Sequence, residues 1–158
     1  MERVDVEQRA EKARRFFLEG YNCAQAVVLA SCDLFDVSPS LAASISAPLG
    51  GGMGRLREVC GAVSGMFMVA GLFYKNDVPS DMTKRKIVYS TVQDLAEKSK
   101  ALNGSIICRE LLGLDHKSDS PTPEARTETY YKRRPCADYV ASAARLIGEK
   151  LNEVSEEM

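Results

Sequence analysis

The chain predicts an all-α fold, a single-domain helical bundle of about five to seven helices with no significant sheet. Three observations carry that expectation. Apolar residues recur at helical spacing in one segment after another. Asn and Ser stand where those segments begin, and glycines where they end. No run alternates apolar and polar residues as a half-buried strand would. A length of 158 residues suits one domain, 1–158, able to bury a core without disulfides.

The elements follow in order. Glu7 to Leu18 carries Ala10, Ala13, Phe16 and Phe17 as a one-sided stripe, and Gly20 ends it. Asn22 caps a second helix, Cys23 to about Phe35, with Gln25 as its capping-box partner. Ser38-Pro39 starts a third, to about Ser46, with proline at the first helical position. Pro48 to Gly54 is too rich in glycine to be helical. A central apolar helix is expected from about Arg57 to Tyr74. Its longest apolar stretch, Val59 to Tyr74, has 16 residues, short of the ~20 that span a bilayer, so it reads as a buried core helix with no membrane span. Ser80 caps a long amphipathic helix, about Asp81 to Leu102, stopped by Asn103-Gly104. Ser105 opens a short helix, Ile106 to Leu112, closed by Gly113. Leu114 to Pro123 reads as a polar surface loop, and Glu124 to Tyr131 as one or two helical turns. Pro135 opens the last helix, to about Val154, and residues 155–158 are expected to fray.

Composition excludes several classes. With 45% hydrophobic and 27% charged residues and a net charge of −1, nothing suggests a nucleic-acid partner. The start, Met1-Glu2-Arg3-Val4-Asp5, has no apolar signal segment, so a cytoplasmic location is expected, where structural disulfides are rare. Hydrolase or transferase chemistry has no support: there is no Ser–His–Asp set, no paired histidines and no nucleotide loop. The single His116 lies in a polar loop and reads as solvated.

Five cysteines in such a chain point to metal binding, redox chemistry or burial. Cys23 follows the cap Asn22, Cys136 follows Pro135, and Cys108 lies early in a short helix. Cys60 falls just after the glycine stretch. Helix starts present unpaired N–H groups and a positive dipole end, which favour a thiolate. The four are therefore expected to be acidified and to form one centre. Cys32 lies nine residues after Cys23. At about 100° per residue that is half a turn out of phase on a continuous helix, so Cys32 reads as a packing residue. No Cys-x-x-Cys occurs, so no local metal motif is present; a Cys₄ site of scattered ligands, zinc or iron–sulfur, stays open beside a dithiol centre.

Gly51, Gly52 and Gly54, helped by Arg55 and Arg57, could hold an anion if their N–H groups open a helix. The bland reading is a tight turn that lets segments approach closely. Gly61 and Gly65, four apart, put a small-residue strip on one helix face. The strip calls for close approach by another helix, a symmetry mate in a homodimer, or a bound cluster beside Cys60.

These residues resemble a known family. Gly20-Tyr21-Asn22-Cys23-Ala24-Gln25-Ala26, the glycines 50–54, Cys60-Gly61-Ala62-x-x-Gly65, Cys108-Arg109-Glu110-Leu111-Leu112-Gly113 and Pro135-Cys136 are together similar to the C_GCAxxG_C_C family of redox-active proteins, over about residues 8–150. The resemblance implies that Cys23, Cys60, Cys108 and Cys136 are the characteristic set, with Cys32 outside it. It also implies a helical fold and an oxidoreductase or its accessory, partnered by an oxidoreductase or transporter system. The function expected is a four-cysteine centre, metal, iron–sulfur or dithiol, for electron transfer or sensing. The alternative is a non-catalytic helical structural or partner-binding protein whose cysteines are packing residues.

Overall fold

The computed structural model describes residues 1–158. It contains eight right-handed helices and no strand, which is the all-α bundle expected. Five of the helices have eight or more residues: α1 (Val6–Leu18), α3 (Pro39–Ser46), α4 (Gly61–Tyr74), α5 (Met82–Asn103) and α8 (Cys136–Glu157). The others are short: α2 (Cys23–Leu29), α6 (Cys108–Leu111) and α7 (Glu128–Arg133).

The central helix α4 is buried over most of its length, from Gly61 to Met66 and at Val69 and Ala70. It packs on α2, α5 and α8, while α1 runs along α8. Phe17, Met66, Leu95, Ile147 and Leu151 are the largest side chains closed off completely. Each buried Leu or Ile of this kind contributes about 2–3 kcal/mol by leaving water. Side chains also tie the chain start to α8. The Asn152 amide bonds both Val4 N–H and Val4 C=O, at 2.7 and 3.0 Å, and Arg145 forks onto Glu7 at 2.8 and 3.0 Å.

Several boundaries differ from expectation for local reasons. The helix expected from Cys23 to Phe35 stops at Leu29, and Cys32–Phe35 forms a separate 3₁₀ turn. Cys23 and Cys32 therefore do not share one continuous helix, and phase along it does not separate them. Cys32 is a packing residue all the same, because it is buried in the core. The central helix starts at Gly61 rather than Arg57, since Val59 is used in an antiparallel bridge with Ile107. Asp81, not Ser80, caps α5 by accepting from Lys84 N–H at 2.9 Å. Ser105 accepts from Ile107 N–H at 3.0 Å, two residues on, instead of capping a helix. The last helix runs past its expected end near Val154, to Glu157.

Candidate functional site

The starts of four helices meet at one place. Cys23, Cys108 and Cys136 are the first residues of α2, α6 and α8, and Cys60 is the residue before α4. All four line a single cavity of about 70 Å³, walled by Phe17, Tyr130 and Tyr139. Cys60 and Cys108 are buried, Cys23 and Cys136 half-buried, and all are free thiols. Cys32 does not reach the cavity; its thiol donates to Leu29 C=O at 3.6 Å.

Local chemistry explains the convergence. The Val59–Ile107 bridge holds two otherwise distant segments side by side, and each bridge residue is followed by a cysteine. Cys60 N–H donates to Ile106 C=O at 2.8 Å, and Cys108 N–H to Glu58 C=O at 2.6 Å. Cys23 is placed by a full capping box, with Asn22 and Gln25 bonding reciprocally at 2.9 and 3.0 Å. The start of α2 then lies directly on the start of α4. A Cβ at Gly61 would come within 2.4 Å of Cys23 Sγ and 2.9 Å of Leu49 C=O. Glycine follows Cys60 because the Cys23 sulfur occupies the space a side chain would need. At Gly65 the neighbour is again α2, with Ala24 C=O at 2.9 Å, so the small-residue strip is filled within the chain.

The glycine stretch does more than turn. Backbone φ is positive at every residue from Gly51 to Arg55, and again at Arg57, a left-handed path that glycine follows without strain. Met53, Arg55 and Arg57 follow it without being glycine, each at a cost of about 1–2 kcal/mol. Gly52 is buried against Cys108: a Cβ there would sit 2.6 Å from Cys108 Cβ. Gly54, Leu56, Arg57 and Glu58 N–H all bond carbonyls of the same stretch, and α4 starts only later, at Gly61. Of the residues expected there, Gly51 lines the thiol cavity, while Gly54 and Arg55 line a wider cleft beside it.

The path turns Arg57 inward. It is 5% exposed, donates from Nε to Asp119 at 2.8 Å, and points Nη1 at Cys108 Sγ, 3.6 Å away. Asp119 in turn meets His116 Nε2 at 2.7 Å. His116 is exposed, as expected, but it ends a chain of contacts that leads to a cysteine. Sequence reading missed this link, together with Tyr130, Tyr139 and Arg126. The only local signal was an arginine set directly before Glu58-Val59-Cys60; residues 116–139 carry no spacing that ties them to it.

The expected acidification is overturned at three of the four thiols. Burial pushes Cys60 up most, and a negative charge on Cys23 adds to it; the N–H groups of Val63 and Ala62 pull the other way and are outweighed. Burial likewise pushes Cys136 up to about 12, with Cys23 and Cys108 adding to it. Cys108 is also raised by burial, although Arg57 opposes the rise through its hydrogen bond and its charge. A helix start does favour a thiolate, but at these three thiols the loss of water outweighs it. A charge on Cys23 therefore works to keep the other three thiols neutral.

A metal or iron–sulfur group needs thiolates arranged as ligands. No three His, Cys, Asp or Glu side chains here are arranged to hold a metal ion.

A helical bundle whose helix starts bring four free thiols around one small cavity is a helical thiol protein. The chain belongs to the C_GCAxxG_C_C family, described as "Putative redox-active protein (C_GCAxxG_C_C)", whose model matches residues 21–150. A search of curated proteins and one of solved structures each found no match. No helix is long and apolar enough to cross a membrane.

Proposed function

We propose that the protein is a dithiol–disulfide module in which Cys23 and Cys60 exchange two electrons with a thiol or disulfide partner. The observation that carries this reading is the Cys23 sulfur packed onto Gly61, the residue next to Cys60. The exchange is written for a disulfide RSSR. The Cys23 thiolate attacks one sulfur, forms Cys23–S–S–R and expels RS⁻. Cys60 then attacks the Cys23 sulfur and expels the second RS⁻. The two thiol protons end on two RSH, and two electrons have passed from the protein to RSSR. Charge favours this order. Cys23 negative charge is one cause of the raised Cys60, and it disappears when the mixed disulfide forms. Losing that charge removes one of the causes that hold Cys60 protonated, while burial, the larger cause, remains.

The experiment is oxidation with a small disulfide, followed by peptide mapping without reduction. The expected product is a Cys23–Cys60 disulfide, lost in Cys60→Ser, which instead accumulates the Cys23 mixed disulfide. Four thiols that remain unpaired at full conversion of a control dithiol would overturn the reading.

A metal or iron–sulfur centre is the second reading, favoured by one observation: thiols from four separate segments face one cavity. Zinc and iron–sulfur clusters both accept four thiolates. Stoichiometric iron or zinc in anaerobically purified protein would replace the dithiol reading with this one.

A further inference from the structure

The thiol cavity, at about 70 Å³, admits a reacting sulfur and little more. The rest of any substrate must lie outside it. A cleft of about 350 Å³ continues from the cavity, sharing Asn22, Gly51, Arg57, Arg126, Tyr130 and Cys136 with it among others. That size falls within the usual range for small-molecule sites, about 300–1,000 Å³. Four guanidinium groups line it, those of Arg55, Arg57, Arg126 and Arg134, and Glu124 is its one carboxylate.

The charges do not balance. Glu124 is shared: Arg134 bonds it at 2.6 Å, and Arg57 and Arg55 stand at 3.9 and 4.0 Å. Asp119, just outside the cleft, is also shared by Arg57 and Arg55, at 2.8 and 4.0 Å. Arg126 has no carboxylate. Its two terminal nitrogens donate to Phe17 C=O and Tyr21 C=O, at 2.8 and 2.9 Å, and its guanidinium lies 4.2 Å over the Phe17 ring. Carbonyls and a ring orient this cation without neutralising it. Four positive groups against two carboxylates leave the approach to the thiols positive, in partly buried surroundings where charge acts strongly.

We infer that the cleft selects a small anionic thiol or disulfide, one whose carboxylate or phosphate groups are held by Arg126 and its neighbouring arginines while its sulfur enters the cavity. This rests on the dithiol reading and names the substrate class for it. Glu124 occupies part of the arginine cluster, so it competes with the substrate anion.

The test compares thiol modification by three disulfides at fixed ionic strength: dianionic 5,5′-dithiobis(2-nitrobenzoate), neutral 4,4′-dithiodipyridine and cationic cystamine. The rates are normalised to the same probes on Cys-containing peptide. The dianion is expected to be favoured, and Arg126→Gln to cut its normalised preference about tenfold, the worth of ~1.4 kcal/mol. Arg126→Lys restores part of it. Glu124→Gln is expected to raise the preference, an opposite sign that mere loosening of the fold would not produce. Competition by glutarate or by inorganic phosphate tells which anion is held. Equal normalised rates for all three probes overturn the anion inference and leave the dithiol reading standing. Failure of every probe to modify any of Cys23, Cys60, Cys108 and Cys136 removes both.

Discussion

Cys32 and Cys60 are 3% and 7% exposed, and burial is the largest cause raising both thiols. They nevertheless stand in different kinds of surroundings. Around Cys32 the chain is bundle core, with a thiol that bonds the carbonyl three residues back and a single non-glycine residue at positive φ, Asp36, closing its 3₁₀ turn. Around Cys60 the molecule accepts strain. Non-glycine residues take positive φ, an arginine is buried, and glycines admit a sulfur and a neighbouring side chain at distances no Cβ would tolerate. Burial alone does not separate the two cysteines; the run of strained residues leading to Cys60 does.

That contrast can be broken from either side. Leu95→Ala opens a hole in the bundle, at a fully enclosed residue that does not line the thiol cavity. About 3 kcal/mol of stability should be lost, read by urea denaturation, while formation of the Cys23–Cys60 disulfide in the folded protein persists. Gly61→Ala does the reverse. A methyl group would meet the Cys23 sulfur and the Leu49 carbonyl. The net cost should be about 2 kcal/mol, overpacking less the gain in helix propensity. Cys23 should be displaced and the disulfide yield should fall, and retention of wild-type pairing would show that the contact does not position Cys23.

Alkaline pH should weaken the site more than the bundle. Cys136 is raised from 9.0 to about 12, so the folded state keeps its proton where the unfolded chain has lost it. The stability this contributes is present below the ordinary thiol value and is lost as pH rises through that value toward 12, by at most about 1.4 kcal/mol per pH unit. Denaturation at pH 8, 9 and 10 should give a falling series that Cys136→Ser makes shallower, the rest of the fall coming from the other raised thiols, Cys32, Cys60 and Cys108. The smallest effect belongs to Cys32→Ala, about 1 kcal/mol from a small cavity, with unchanged disulfide mapping. An altered Cys23–Cys60 yield in that variant would erase the distinction between the two regions.

Helical periodicity, caps and stops were enough to read the bundle: α1, α3, α5 and α8 fall close to where their stripes, Pro39, Gly104 and Pro135 put them. The grouping of the four cysteines that line the cavity was also legible, because Cys23, Cys108 and Cys136 follow helix-start signals and Cys60 precedes a small-residue strip. What failed was any step needing a partner distant in sequence. The break after Leu29, the late start of α4 and the inward turn of Arg57 each depend on contacts made elsewhere, at the core, at Ile107 and at Asp119.

By itself, then, the sequence determined an all-helical chain with four cysteines set apart from a fifth, since caps and periodicity are local properties of neighbouring residues. Tertiary structure decided that the four meet at one cavity, through a single bridge and the room left at Gly61. It also decided that Cys60, Cys108 and Cys136 are raised rather than acidified. Helix starts favour thiolates, but bringing these three into the cavity takes water from them, and desolvation is felt only once the segments have come together.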